Sequence, residues 1–266
     1  MELNRIYNMD CLEGMKEIPD GSIDCIICDL PYGTTACAWD SIIPFDKLWE
    51  QYNRICKETT PILLFGSEPF SSYLRMSNIL NYRYDWVWHK NTSGGFVSAN
   101  TRPMKYHENI SVFYKKQPVY NPQYQEYYES SKHRYKSGDF VNRDKQVGKS
   151  SNSIHGGTSL CGTAFDFDRG KYPESVIVMD GVPNSNGRIH PTQKPVELLR
   201  YLIRTYSNAG DVILDNCMGS GTTAVAAVME KRRFIGFETD KTYYEKSNKR
   251  LRDLTGPFYL YGNIGV

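Results

Sequence analysis

The sequence has no strong excess of either charge. Its 32 lysine and arginine residues nearly balance 30 aspartate and glutamate residues, which leaves a formal net charge of +2. A nucleic-acid contact therefore has to come from local patches, because the overall charge does not favour one. Long apolar runs are also missing, since none approaches the roughly 20 residues that a membrane helix needs. We expect no contact with a membrane.

The cysteines lack the spacing of a disulfide framework. There are 7 of them, an odd number, so reduced thiols are expected. Cys25 and Cys28 lie three apart in a strand-like run and would point to opposite faces, which suits zinc poorly. No other set of histidine, cysteine and carboxylate stands at metal spacing, and we predict no catalytic metal. The first ten residues lack the pattern of a secretory signal, so we expect a cytoplasmic protein.

Short apolar strands alternate with helical stretches in the first and last thirds of the chain. Ile23–Cys28 reads as a buried strand, and the spacing of Leu48, Tyr52 and Ile55 predicts a helix over 45–57. The same alternation returns after His190. This pattern predicts an α/β layered fold with a mainly parallel sheet.

The middle of the chain has a different composition. From residue 115 to about 187 the apolar periodicity disappears, and residues 115–150 hold eight lysines or arginines against four acidic residues. Tyrosines interleaved with Lys132, Arg134 and Lys136 suit contact with phosphates and bases. On composition alone, an irregular solvated insertion explains the segment equally well.

One candidate site follows a buried strand near the N-terminus. Asp29-Leu30-Pro31-Tyr32 brings together a carboxylate, a backbone carbonyl, a rigid bend and an aromatic ring. The Asp29 carboxylate and the Leu30 carbonyl can accept both N–H groups of an exocyclic amine. Tyr32 can stack on the ring that carries the amine. This combination predicts a catalytic loop for an amine attached to a flat ring.

A second candidate site follows the apolar run Val212–Leu214. The tight turn of Asp215–Thr223 carries Gly219 and Gly221, which let the backbone approach a ligand closely, and a helix follows. Glu238 stands about 20 residues further on, where an acidic residue can bind ribose hydroxyls. The turn lacks the lysine of a phosphate-binding loop. On this segment alone, a dinucleotide dehydrogenase and a plain tight turn both remain open.

Together the motifs resemble those of the β-ordered DNA amino-methyltransferases, which act on adenine N6 or cytosine N4. Asp29–Tyr32 resembles their Asp-Pro-Pro-Tyr motif, and Asp215–Thr223 resembles their S-adenosylmethionine motif. His190–Pro195 resembles the segment that packs on the cofactor, and Asp10-Cys11 resembles the strand end that contacts its adenine. Leu30 departs from the pattern by replacing the first proline. The Asn216-Cys217 pair replaces Pro-Phe, so aromatic packing near the cofactor is lost.

The resemblance implies a Rossmann-like S-adenosylmethionine methyltransferase fold, circularly permuted, with an irregular target-recognition insertion. It assigns residues 1–116 and 188–266 to the catalytic and cofactor-binding domain, and residues 117–187 to target recognition. Catalysis is assigned to Asp29, Leu30, Pro31 and Tyr32. The residues implied in cofactor binding are Asp10, Cys11, Asp29, Thr192, Lys194, Pro195, Asp215, Asn216, Cys217, Gly219, Ser220, Gly221, Thr222 and Glu238. Those implied in substrate binding are Trp39, Lys90, Asn91, Lys132, Arg134 and Lys136.

The implied activity is site-specific transfer of a methyl group from S-adenosylmethionine to adenine N6 of a flipped-out DNA base. Adenine is favoured over cytosine N4 because an initial aspartate is more typical of the adenine enzymes and an initial serine of the cytosine ones. The alternatives are a cytosine-N4 methyltransferase, methylation of a protein or RNA amide, and an inactive DNA-binding protein of the same fold. The intact Asp29 and Tyr32 argue against the last. A homodimer and a restriction endonuclease partner, as in restriction-modification, are left open.

Overall fold

The computed structural model describes residues 1–34, 40–126, 170–183 and 188–256. Their strands form one eight-stranded sheet in the order β1-β8-β7-β2-β3-β5-β4-β6. The strands are β1 Arg5–Tyr7, β2 Cys25–Cys28, β3 Ile62–Gly66, β4 Tyr82–Gly94, β5 Lys105–Phe113, β6 Val176–Val178, β7 Val212–Asp215 and β8 Arg233–Phe237. Neighbouring strands are parallel except where β5 pairs with β3 and β4. The prediction of a mainly parallel sheet is confirmed.

Helices cover both faces of the sheet. They are α1 Cys11–Lys16, α2 Phe45–Ile55, α3 Phe70–Ser77, α4 Val196–Tyr206, α5 Thr222–Met229 and α6 Lys241–Thr255. Successive side chains of a strand point to opposite faces, so Ile26 packs with α1, α2 and α3, whereas Ile27 packs with α4 and α5. Both faces of β2 are therefore buried, as expected for a central parallel strand.

Two features of the sheet differ from the sequence prediction. The sequence predicts a strand over 84–88 and a loop over 91–102. In the structure, β4 extends to Gly94, and a short 3-10 turn follows at Phe96–Ser98. Strand β6 was not predicted. It pairs in parallel with β4, and two of its three residues are exposed, so it carries little apolar signal.

The chain divides into two compact units, residues 1–121 with 175–266 and residues 122–174. The sheet and the helices belong to the first unit. In the second unit, Gln125 pairs with Lys171 in an antiparallel bridge, and the rings of Tyr124 and Tyr172 lie 5.1 Å apart. The assignment of residues 117–187 to target recognition stays a prediction.

The five cysteines in the described ranges are free thiols. Cys25 and Cys28 pack in the hydrophobic clusters on opposite faces of the sheet, as predicted. Among the described residues, none of the helices is long and apolar enough to span a membrane.

Candidate active site

Four adjacent parallel strands each lead into an acidic residue at one edge of the sheet. In their order across the sheet, β1 is followed by Asp10, β8 is followed by Glu238, β7 ends at Asp215 and β2 is followed by Asp29. All four acids line one cavity of about 620 Å³. Ligands of open α/β sheets bind at this carboxyl edge. The sequence therefore brings both predicted motifs to a single site.

The catalytic tetrapeptide lines this cavity with all four residues. The Tyr32 hydroxyl donates to Asp29 Oδ1 at 2.6 Å, and Lys194 Nζ donates to Asp29 Oδ2 at 2.5 Å. Leu30 is buried in the core against the α1–α3 layer. The leucine that replaces proline is thus a core residue as well as a cavity wall.

A buried charge cluster surrounds Asp29. Lys194 Nζ lies 3.2 Å from Glu108 Oε2, and Lys90 Nζ is paired with Glu108 Oε1. Burial raises the pKa of Asp29, and the negative charge of Glu108 adds to the rise, although Lys194 opposes it. Burial would also raise the pKa of Glu108, but Lys194 and Lys90 together hold it below its usual value. The two carboxylates raise the pKa of Lys194 to about 12 despite its burial.

The segment after the tetrapeptide is held by another buried acid. Asp40 accepts hydrogen bonds from the backbone N–H groups of Gly33 and Thr34, each at 2.9 Å. These bonds fix the chain directly after Tyr32. Asp40 is itself buried and also lines the cavity.

The turn after β7 has the backbone shape that two glycines permit. Gly219 and Gly221 have φ of 51° and 73°, a region that other residues rarely occupy. A Cβ on Gly221 would lie 2.9 Å from Ser247 Cβ. The Glu238 carboxylate accepts the N–H of Gly219 at 2.7 Å and that of Asp240 at 2.8 Å. Glu238 therefore holds the turn in place as well as facing the cavity.

Asp215 is the most deeply buried acid of the four strand ends. Its Oδ1 accepts the N–H of Cys217 at 3.0 Å. Burial raises the pKa of Asp215 to about 6, although that bond and others oppose the rise. A buried carboxylate of this kind gains from a nearby positive charge.

The Asn216-Cys217 pair stands where the related motif has Pro-Phe. Asn216 Oδ1 accepts a hydrogen bond from the Tyr52 hydroxyl at 2.5 Å, and its Nδ2 lies 3.7 Å from Cys11 Sγ. This bond ties the turn after β7 to helix α2. Asn216, in the place of the proline, thus adds a buried polar contact to this turn.

The segment before α4 covers the glycine turn. The ring of His190 lies 3.7 Å from the position of a Cβ on Gly219, and it packs against Tyr243 with the ring centroids 4.2 Å apart. Burial lowers the pKa of His190 to about 4, and the positive charges of Lys194 and Arg188 contribute. His190 is therefore neutral at physiological pH.

The cavity contains most of the residues that the sequence assigned to cofactor binding. Pro195 and Gly221 do not line it. Pro195 is the residue before helix α4, and Gly221 holds the corresponding place before α5. Asp10 lines the cavity and also caps α1, because its Oδ1 accepts the N–H of Leu12 at 2.8 Å.

Two of the predicted substrate-binding residues, Lys90 and Asn91, lie among the described residues. Lys90 lines the cavity, whereas Asn91 does not, although its Oδ1 accepts the N–H of Gly181 at 3.4 Å. Trp39 lies outside the described residues. The three basic residues of the middle segment, Lys132, Arg134 and Lys136, also lie outside them.

Sequence reasoning missed Glu108 altogether. It is on β5, two residues before the buried run of residues 110–113 at the end of that strand, and it lines the cavity. A single glutamate entering a buried strand was the available signal, but it did not identify Lys90 and Lys194 as partners. The two lysines belong to other parts of the fold, β4 and the segment before α4, so no regular spacing in the sequence links them to Glu108.

The comparisons with known proteins agree with this geometry. The model of the DNA methylase family, N6_N4_Mtase, matches residues 23–249. The chain belongs to this family. A curated relative, the type II methyltransferase M1.MboII of Moraxella bovis, is 27% identical over 96% of the methylase chain and 98% of its own length. The DNA adenine methyltransferase YhdJ of Escherichia coli (strain K12) is 27% identical over 94% of this chain and 83% of its own.

Two solved structures share the fold of this methylase. The M1.HpyAVI complex with SAM has a TM-score of 0.61 at 23% identity, and covers 93% of this chain and 98% of its own. The cytosine-N4-specific PvuII DNA methyltransferase has a TM-score of 0.63 at 16% identity, and covers 98% and 87%. These likenesses confirm the predicted Rossmann-like methyltransferase fold. The circular permutation stays a prediction.

Proposed function

We propose that this methylase transfers a methyl group from S-adenosylmethionine to the N6 amine of an adenine that has left the DNA base stack. The observation that carries the proposal is the meeting of two motifs 186 positions apart in one cavity: Asp29 and Asp215 end neighbouring strands and line the same space. The volume, about 620 Å³, is within the range of small-molecule sites.

The cavity residues fit a cofactor that carries positive charge. Asp10, Asp215 and Glu238 line the side formed by β1, β7 and β8. The cofactor has a sulfonium and an ammonium group, and both are stabilised by nearby carboxylates. Glu238 stands at the end of β8, where it can also accept hydrogen bonds from ribose hydroxyls. This acidic lining would repel the pyrophosphate of a dinucleotide.

When bound, S-adenosylmethionine supplies an electrophilic methyl group, and its sulfur leaves as a neutral thioether with the electron pair of the broken carbon–sulfur bond. Asp29 accepts a hydrogen bond from the target amine and holds its nitrogen toward the methyl carbon. Asp29 also receives the proton that this nitrogen releases after the nitrogen–carbon bond forms, and burial, which raises its pKa, favours that transfer. Tyr32 fixes the carboxylate through its hydroxyl and presents its ring to the base.

Adenine N6 is proposed over cytosine N4 on two grounds. The catalytic motif begins with Asp29, and a relative that matches along most of the chain is named a DNA adenine methyltransferase. The fold itself is shared with a cytosine-N4 enzyme and does not choose between the bases. We also propose the predicted roles of the other cavity residues and of segment 117–187 as the target-recognition region.

The test is to incubate the purified chain with unmethylated bacterial DNA and S-adenosylmethionine labelled with deuterium in its methyl group. Digested nucleosides are then separated by mass spectrometry. Labelled N6-methyl-2′-deoxyadenosine is the expected product, labelled N4-methyl-2′-deoxycytidine would move the assignment to the alternative base, and label in neither would contradict the proposed function. The Asp29→Asn variant serves as the blank, and Asp46→Asn, an exposed change on α2, serves as the matched control.

A further inference from the structure

The ammonium group of Lys194 lies between two carboxylates from different parts of the fold. Its Nζ is 2.5 Å from Asp29 Oδ2, after β2, and 3.2 Å from Glu108 Oε2, on β5. Lys194 itself is only 7% exposed. A buried charge needs a partner at all times, because an unpaired one is strongly destabilising.

The two carboxylates are not equivalent. Glu108 has a second cation, Lys90, on its other oxygen, whereas Lys194 is the one cation paired with Asp29 among the described residues. Glu108 consequently keeps its charge, and Asp29 is the carboxylate that protonates more readily. Asp29 is therefore suited to accept a proton, whereas Glu108 is suited to remain ionised and pair with cations.

Both oxygens of Asp29 are occupied. Oδ1 accepts from the Tyr32 hydroxyl and Oδ2 accepts from Lys194. Glu108 Oε2, in contrast, is buried and lies 3.2 Å from Lys194 Nζ, a longer and weaker contact than the one that Lys194 makes with Asp29. A target amine that donates to Asp29 competes with these two donors for its oxygens, and Glu108 Oε2 is an alternative acceptor within reach of Lys194.

We propose that Glu108 is a positioning residue that takes over the Lys194 ammonium when the target amine binds to Asp29. The inference rests on the proposed function. Lys194 stays paired throughout the exchange, and Asp29 becomes free to accept the amine and then its proton. Lys90 keeps Glu108 ionised and ready as the acceptor. Glu108 therefore acts on the reaction only through Lys194.

Glu108→Gln should have two opposite effects. With a weaker acceptor, Lys194 stays on Asp29, so we expect kcat to fall by about 10- to 100-fold. Removing the negative charge also lowers the pKa of Asp29, because Glu108 is one of the groups that raise it. The acid limb of the kcat profile should therefore move to lower pH. The expected result is a lower kcat together with an acid limb at lower pH.

Several other ionisable groups face Asp29 and must be separated from this effect. They are Tyr32 on the same loop, Cys28 on β2, Lys194 before α4 and Asp215 on β7. Asp215 is the one other carboxyl among these four groups, and burial raises its pKa to about 6. We assign its titration to cofactor binding, so kcat measured at saturating S-adenosylmethionine isolates Asp29.

The matched control is Glu230→Gln. Glu230 is also a nearly buried glutamate paired with two cations, Arg200 and Arg204, but it does not line the cavity. The Glu230→Gln variant should have a lower free energy of unfolding, and the acid limb of its kcat profile should stay at the wild-type pH. Carbon-13 NMR of the aspartate carboxyl groups in the unliganded protein, assigned with Asp29→Asn, provides a readout that needs no activity. The Asp29 pKa should fall in Glu108→Gln and stay constant in Glu230→Gln.

The inference is overturned if folded Glu108→Gln keeps the wild-type kcat, or if kcat falls while both the acid limb and the Asp29 carboxyl titration stay where they were. Its failure is distinct from failure of the proposed function. If wild-type protein methylates DNA and Glu108→Gln behaves like Glu230→Gln, only the role of Glu108 is lost. If wild-type protein transfers no methyl group to DNA, the proposed function is lost, whatever the carboxyl titration shows.

Discussion

The two sides of the sheet supply charge to the cavity in different ways. On the side of β1, β8, β7 and β2, acids stand at or just after strand ends, and two of them also hold backbone N–H groups of turns. On the side of β4 and β5, Lys90 and Glu108 project from within the strands and pair with each other. The parallel side thus presents negative charge to a cationic cofactor. On the antiparallel side, the positive and negative side chains neutralise each other beside the reacting amine.

The largest effect should come from Asp29, which follows β2 and lies next to both groups of charges. Asp29→Asn keeps the shape of the side chain but removes the acceptor charge, so we expect turnover to fall by about 10²- to 10⁴-fold. Cofactor affinity should change little, because the other three strand-end acids remain. Turnover is measured by methyl transfer and affinity by calorimetry. Substantial residual turnover would move catalysis away from this carboxylate.

The next largest effect should be confined to the parallel side. Glu238→Ala removes the acceptor for the N–H groups of Gly219 and Asp240 and the predicted partner of the ribose. We expect cofactor affinity to weaken by roughly 1 to 3 kcal/mol. Calorimetric titration checks this, with Glu245→Ala on α6 as the exposed control. An unchanged dissociation constant would contradict the assignment of Glu238 to the cofactor.

Asp215 should show opposite effects on stability and binding. Because burial raises its pKa to about 6, the unfolded chain releases this proton first as the pH rises. The carboxylate then lowers the stability of the unliganded fold, progressively from about pH 4 to above pH 6, by on the order of 3 kcal/mol at neutral pH. Asp215→Asn should therefore raise the free energy of unfolding at pH 7, by roughly 1 to 3 kcal/mol.

The same variant should bind the cofactor more weakly at neutral pH. Wild-type affinity should fall as the pH drops below about 6, where Asp215 becomes protonated, and the variant should lose that dependence. Urea unfolding at pH 5 and pH 7, followed by calorimetry at both values, measures the two effects. If Asp215→Asn instead lowers the free energy of unfolding equally at both pH values, the charge of Asp215 does not destabilise the fold.

The smallest effect on turnover should come from the middle segment. Neutralising Lys132, Arg134 and Lys136 together should leave kcat at saturating DNA unchanged. The slope of log affinity against log salt should decrease by roughly one for each residue that contacts a phosphate. Fluorescence anisotropy at several salt concentrations measures that slope. An unaltered slope would place the DNA contact elsewhere.

The sequence predicted one side of the site much better than the other. Asp10, Asp29, Asp215 and Glu238 could be found because acids that follow parallel strands meet at one edge of the sheet. Glu108 could not, since its partners come from β4 and from the segment before α4, and the pairing depends on the tertiary fold. Strand β6 was missed because its short, mostly exposed sequence has no apolar pattern.

The pairing of β1 with β8 has a consequence for when the enzyme becomes active during synthesis. Arg5 to Tyr7 align with Ile235 to Phe237, and Asn8 donates to the carbonyl of Glu238, 230 residues away in the chain. A ribosome-bound chain that has emerged only through β7 lacks the neighbour of its first strand and one wall of the cofactor cavity. Methyl transfer should consequently begin only after β8 has been released, and no earlier fragment should methylate DNA.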